Sequence, residues 1–96
     1  MQLADLRNNY RDMILAIAAK YHASNVRVFG SVARGQQGVG SDIDFLVRFD
    51  SGASLLDEAG LDRELSALLK QPIDLIGEDV IRDEFRQFIL NEAVAL

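Results

Sequence analysis

Cysteine is absent from the 96 residues, so no disulfide can staple this chain and no thiolate can hold a metal. No stretch approaches the ~18 consecutive apolar residues of a membrane span. The opening residues, MQLADLRNNYRDM, carry acids and arginines where a signal peptide would need an apolar run. A cytoplasmic location with no membrane partner is therefore expected. Clustered basic residues are missing too: ten Lys and Arg are dispersed among fifteen Asp and Glu, for a net charge of −5. A protein that grips nucleic acid through its phosphates normally shows a basic patch, so no direct nucleic-acid partner is expected. Repeats and low-complexity tracts are also absent.

What remains has the balance of a globular protein, with 49% hydrophobic and 26% charged residues. A chain of this size buries roughly 60–65% of its unfolded surface, enough for one core. A single domain over residues 1–96 is expected. Leu3, Leu6, Tyr10, Met13, Ile14, Ile17 and Tyr21 follow steps of three and four, which predicts one helix with an apolar stripe. The lone histidine, His22, follows it, where a helix C-terminus favours a cation. Val26–Phe29 reads as a strand closed by Gly30. In DIDFLVRF, Ile43, Phe45, Val47 and Phe49 alternate with Asp42, Asp44, Leu46 and Arg48, as in a strand with one buried face.

Ser54 and Asp57 form a capping box opening a helix over residues 55–69, which Gly60 weakens by up to ~1 kcal/mol relative to alanine. Pro72 suits the mouth of a third strand, IDLI, and a last helix is predicted from about Val80 to Ala93. The order predicts an α/β (α+β) domain, a small mixed sheet of about three strands flanked by helices.

Two of these features conflict with simple packing. Asp42 and Asp44 share a strand face about 6.6 Å apart. Leaning together to ~4 Å, they would repel by about 4 kcal/mol at an effective dielectric of 20. Arg48 on the same face is too far along the strand to neutralise them, and Asp74 would add a third charge if its strand were adjacent. A divalent cation resolves the conflict most simply. With carboxylates as the only donors, Mg²⁺ is favoured, and Mg²⁺ commonly takes one or two carboxylates together with substrate phosphates. Gly30-Ser31, between a strand and a helical turn, offers backbone N–H groups and a hydroxyl suited to an anion. Each motif by itself also fits plain turn or capping chemistry; their combination points toward a nucleotide.

The spacing from Gly30-Ser31 through ten residues to Asp42-Ile43-Asp44 resembles the signature of the DNA polymerase beta-type nucleotidyltransferases. Ala33-Arg34-Gly35 and Ser41 are typical of the minimal nucleotidyltransferase (MNT) group, PIDLI is similar to its third-acid strand, and ILNEAVAL to its ending. The resemblance implies a nucleotidyltransferase fold. It implies that Asp42 and Asp44 hold two Mg²⁺ ions, joined by Asp74 at the ion that activates the attacking hydroxyl. Gly30 and Ser31 would bind the triphosphate, with Arg34 either approaching the phosphates or pairing with an acid locally, and GQQGVG either a mobile cover or a plain connector.

For function, the resemblance implies an antitoxin that transfers AMP from ATP to a tyrosine of a HEPN-domain ribonuclease toxin. Two other readings stay open: an antitoxin that neutralises by binding alone, and a transferase acting on a small-molecule hydroxyl. Because the chain carries little to orient an acceptor, a partner protein or self-association is expected to complete the site.

Overall fold

The computed structural model describes residues 1–36, 38 and 42–96, with the elements α1 (Leu3–Asp5), a π-helical turn (Leu6–Tyr10), α2 (Arg11–Lys20), β1 (Ala23–Phe29), α3 (Gly30–Arg34), β2 (Ile43–Phe49), α4 (Leu55–Leu69), β3 (Ile73–Gly77), a 3₁₀ turn (Glu78–Val80), α5 (Asp83–Glu92) and β4 (Val94–Ala95). The strands form one mixed sheet in the order β3-β2-β1-β4. The sheet thus has four strands rather than about three. Val94–Ala95 is too short to show a strand period, and pairs with Val28 and Arg27 of β1 only because α5 returns the chain to that edge.

The first helical stretch departs from a uniform 3.6-residue period. The π turn inserts extra arc, after which Ile14, Ile17, Ala18 and Tyr21 carry the apolar stripe onward. Met13, expected inside, is left 46% exposed. The Ser54–Asp57 capping box is present in both directions. Gly60 lies inside an unbroken helix for a reason its sequence does not show: the Tyr21 ring packs against it, and a Cβ there would come within 2.8 Å of that ring's Cζ. The last helix begins later than expected, because the 3₁₀ turn and Ile81 intervene before Asp83.

The two faces of the sheet are covered differently. Ile43, Phe45 and Val47 of β2 are fully buried with Leu6, Ile14, Val28, Leu61 and Leu65, between the sheet and the helices α2 and α4. The opposite face holds Leu46, also fully buried, beside Arg27, its register partner on β1. There Arg27 pairs with Glu78, and Arg86 of α5 donates to the Glu78 carbonyl at 3.1 Å. α5 contributes no buried residue to this second layer, and its Phe85 and Phe88 remain 53% and 68% exposed. Among the described residues, no helix is long and apolar enough to cross a membrane.

Candidate active site

Strand direction decides what meets at one end of the sheet. β1 runs antiparallel to β2, and β2 runs parallel to β3. The C-terminal end of β1 and the N-terminal ends of β2 and β3 therefore share an edge. Asp44 stands opposite Phe29 on one side and opposite Asp74 on the other. Adjacent strands lie about 4.8 Å apart, so Asp44 and Asp74 are cross-strand neighbours on the face that α5 covers. Asp42 precedes β2 at the same edge and is exposed; Asp44 is half-buried and Asp74 exposed. The α4 crossover that makes β2 and β3 parallel is what brings Asp74 here, 30 residues after Asp44.

Gly30 begins α3 with φ +72°, a left-handed value that an L side chain adopts only at a cost. A Cβ at this position would overlap Oδ2 of Asp44 and approach its Cγ to 3.0 Å. Glycine is thus needed twice, for the turn and for the close approach of the backbone to the carboxylate. Ser31 follows at half burial, and Arg34 closes the short helix before Gly35 at φ +71°. Ser41 and half of the loop expected to cover or merely connect the site (positions 37, 39 and 40) lie outside the described residues.

The periodicity of the last helix also concealed a participant. Glu92 of α5 accepts a hydrogen bond from the Gly30 N–H at 3.2 Å through Oε2, and its Oε1 pairs with the Arg34 guanidinium. Arg34 therefore has the local acidic partner that was one of its two expected roles, and its Nε donates to Gln36 Oε1 at 3.1 Å as well. The only sequence cue to Glu92 is an acid continuing the Phe85–Phe88 stripe, where the spacing calls for an apolar side chain.

Burial pushes the Asp44 carboxyl above the ordinary aspartate range, and the charges of Asp74, Asp42 and Glu92 push it further; Arg34 partly opposes them. The native state thus holds the Asp44 proton more tightly than the unfolded chain, and stability falls as pH rises through the window above the ordinary aspartate value. Asp44→Asn removes this penalty. The variant is expected to melt higher than wild type near neutral pH, by roughly a few degrees. The gap should close as pH falls toward about 3, below the ordinary aspartate value, where wild-type Asp44 is largely protonated in both states. Melts by circular dichroism across that range check this; a gap independent of pH would show that Asp44's charge is not its source.

The donors suit a hard divalent ion, because the three aspartates offer carboxylate oxygens alone and the chain has no cysteine thiolate. They do not converge into a ready-made set: among the described residues no group of three or more His, Cys, Asp or Glu is placed to hold a metal ion. This is compatible with Mg²⁺, which needs only one or two carboxylates when phosphates complete its shell. A concavity of about 340 Å³ between Phe49, Leu55, Gly77 and Val80 lies at the opposite end of β2 and contains none of these aspartates. His22 also stands at that far end, beside the start of β1, and takes no part in the acidic edge.

Residues 11–96 match the family model described as a nucleotidyltransferase domain. A protein of Methanocaldococcus jannaschii named for protein adenylyltransferase activity is 39% identical over 87 residues, covering 91% of this chain and 94% of its own length. A solved structure described as that of a minimal nucleotidyltransferase superposes with a TM-score of 0.88 at 42% identity, over 100% of this chain and 97% of the other. A third similarity is one of fold alone. It is to a complex of the Shewanella oneidensis tri-AMPylated HEPN toxin with its MNT antitoxin, at a TM-score of 0.65 and 16% identity, covering 88% of this chain and 66% of that one.

Proposed function

The chain belongs to the nucleotidyltransferase domain family, and on that premise we propose that it is an antitoxin that transfers AMP from ATP to a tyrosine of a cognate HEPN ribonuclease toxin, silencing it. The observation that carries this reading is the Asp44–Asp74 register pair, with Asp42 and the Gly30 turn on the same sheet edge. Three carboxylates beside backbone donors suit a metal–triphosphate and little else. The adenylyl specificity and the protein acceptor are supported by the names of the relatives and by the toxin complex of like fold.

Asp42 and Asp44 would hold Mg²⁺ (two ions), with Asp74 joining them on the acceptor side. Two bound ions supply charge stabilisation for both the entering and the leaving oxygen of an in-line displacement. Ser31 and Arg34 bind the triphosphate, by hydroxyl and guanidinium respectively, and Gly30 lets the backbone approach it while its own N–H stays with Glu92. The tyrosine oxygen attacks the α-phosphorus while the bond to the pyrophosphate oxygen breaks, and the tyrosine proton leaves on the Asp74 side. The attacking oxygen must be held ~3–3.5 Å from phosphorus, and among the described residues nothing on the acidic edge positions it. A docked protein acceptor meets that need. The exposed Phe85 and Phe88 lie on the same stripe of α5 as Glu92, so an apolar surface leads from solvent to the site.

The test is mass spectrometry of a cognate HEPN ribonuclease incubated with this protein, ATP and Mg²⁺. AMP additions on a tyrosine with loss of RNA cleavage are expected. Loss of cleavage without any mass change would overturn transfer in favour of neutralisation by binding. AMP on a small-molecule hydroxyl and none on protein would overturn the protein acceptor.

A further inference from the structure

Glu92 spans α3 in a way the proposed chemistry does not by itself require. One carboxylate oxygen takes the N–H of the first residue of α3, Gly30, and the other takes the guanidinium of the last, Arg34. The side chains differ in exposure, 13% for Glu92 against 45% for Arg34. The carboxylate is thus the fixed, enclosed partner and the guanidinium the presented one. We propose that Glu92 is a positioning residue for the nucleotide, a brace from α5 that holds the Gly30 turn and aims Arg34 at the triphosphate. The inference rests on the nucleotidyltransfer reading above and adds to it a residue acting through Arg34.

Two physical arguments favour a brace over a carboxylate that merely keeps the phosphate position filled until a nucleotide expels it. First, the Glu92 side chain is only 13% exposed, and its charge already acts unfavourably on Asp44. Expelling it from Arg34 would leave a largely enclosed carboxylate without its cation near a like charge, which is unfavourable. Second, Arg34 need not choose. A guanidinium carries five N–H donors in a planar fork; the contacts to Glu92 and Gln36 use Nη1 and Nε, and nearly half the side chain faces solvent. Arg34 can therefore keep Glu92 and meet a phosphate oxygen at once. An arginine held in this way loses less conformational freedom on binding than one free in solvent.

The test is a double-mutant cycle on Mg²⁺–ATP affinity, measured by calorimetry with the whole chain, using Glu92→Gln and Arg34→Ala. Glutamine keeps an oxygen for the Gly30 N–H and removes the charge that orients Arg34. Glu92→Gln is expected to weaken binding about tenfold in the wild-type background and to have little effect in the Arg34→Ala background. Tighter binding by Glu92→Gln, unchanged binding, or equal weakening in both backgrounds would each overturn the brace. Absence of Mg²⁺–ATP binding by wild type would instead overturn the nucleotide reading itself, and the brace with it. A measurement on the wild-type protein covers the case in which Glu92→Gln fails to fold. The Arg34 Nη–H resonances, which report the pair with Glu92, should keep their paired-guanidinium positions when Mg²⁺ and a non-hydrolysable ATP analogue are added, whereas a change to free-guanidinium positions, marking release of Arg34 from Glu92, would overturn the proposal.

Discussion

Exchanging Asp42 and Asp44 together for asparagine should lower AMP transfer to the ribonuclease partner by about 10³-fold or more, with the fold intact. The size follows from the task assigned to them. Metal-borne stabilisation of the charge developing at phosphorus contributes several kcal/mol to a transition state, and each 1.36 kcal/mol is tenfold in rate. The fold survives because Asp42 is exposed and Asp44 half-buried at a sheet edge, whereas the core lies between the sheet and α2 and α4. Removing two like charges should even raise the melting temperature of the ligand-free variant. Asp74→Asn should behave differently, keeping most of the nucleotide affinity and losing most of the rate, because Asp74 is assigned to the acceptor side. Single-turnover transfer followed by intact-mass measurement tests both. A double variant that silences the toxin as durably as wild type would establish neutralisation by binding and remove transfer from this protein's role.

Gly30→Ala should be strongly damaging. The left-handed backbone at φ +72° costs an L-residue about 1–2 kcal/mol. The new methyl would also collide with Asp44, whose Cβ lies only 3.4 Å from its position, so the carboxylate cannot simply swing clear. Together these predict a loss of about 2–4 kcal/mol of stability, and at least a tenfold loss of Mg²⁺–ATP affinity as Asp44 is displaced. Gly35 provides the control, with φ +71° and nothing described within 4 Å of an added Cβ. Gly35→Ala should cost only the backbone penalty, about 1–2 kcal/mol by urea denaturation. Equal losses at the two positions would show that contact with Asp44 has no part in the need for glycine at Gly30.

Much of this site was legible in the residues themselves because its signals are local. The alternation of DIDFLVRF places Asp42 and Asp44 on one face whatever the strand neighbours are, since side chains in a strand alternate at a period of two. The Ser54–Asp57 box depends on four consecutive residues, and it formed as read. Local signals fail where a distant element intervenes. Met13 satisfied the helical spacing but lies outside, because the π turn before it changed the phase. Gly60 reads as a helix weakness, yet it is where the Tyr21 ring of another helix end packs.

The sequence by itself determined the chemistry on offer: carboxylates without cysteine, a Gly-Ser turn and dispersed basic residues, a set that suits the proposed hard cation and phosphate. Which of those groups meet was decided by tertiary structure alone. Asp74 faces Asp44 because the α4 crossover returns β3 parallel to β2 in a particular register, and a shift of one residue would have turned its carboxylate to the other face. Glu92 reaches Gly30 and Arg34 across about 60 positions of chain. Contacts of that separation follow from how helices and strands pack, so no periodicity along the chain announces them.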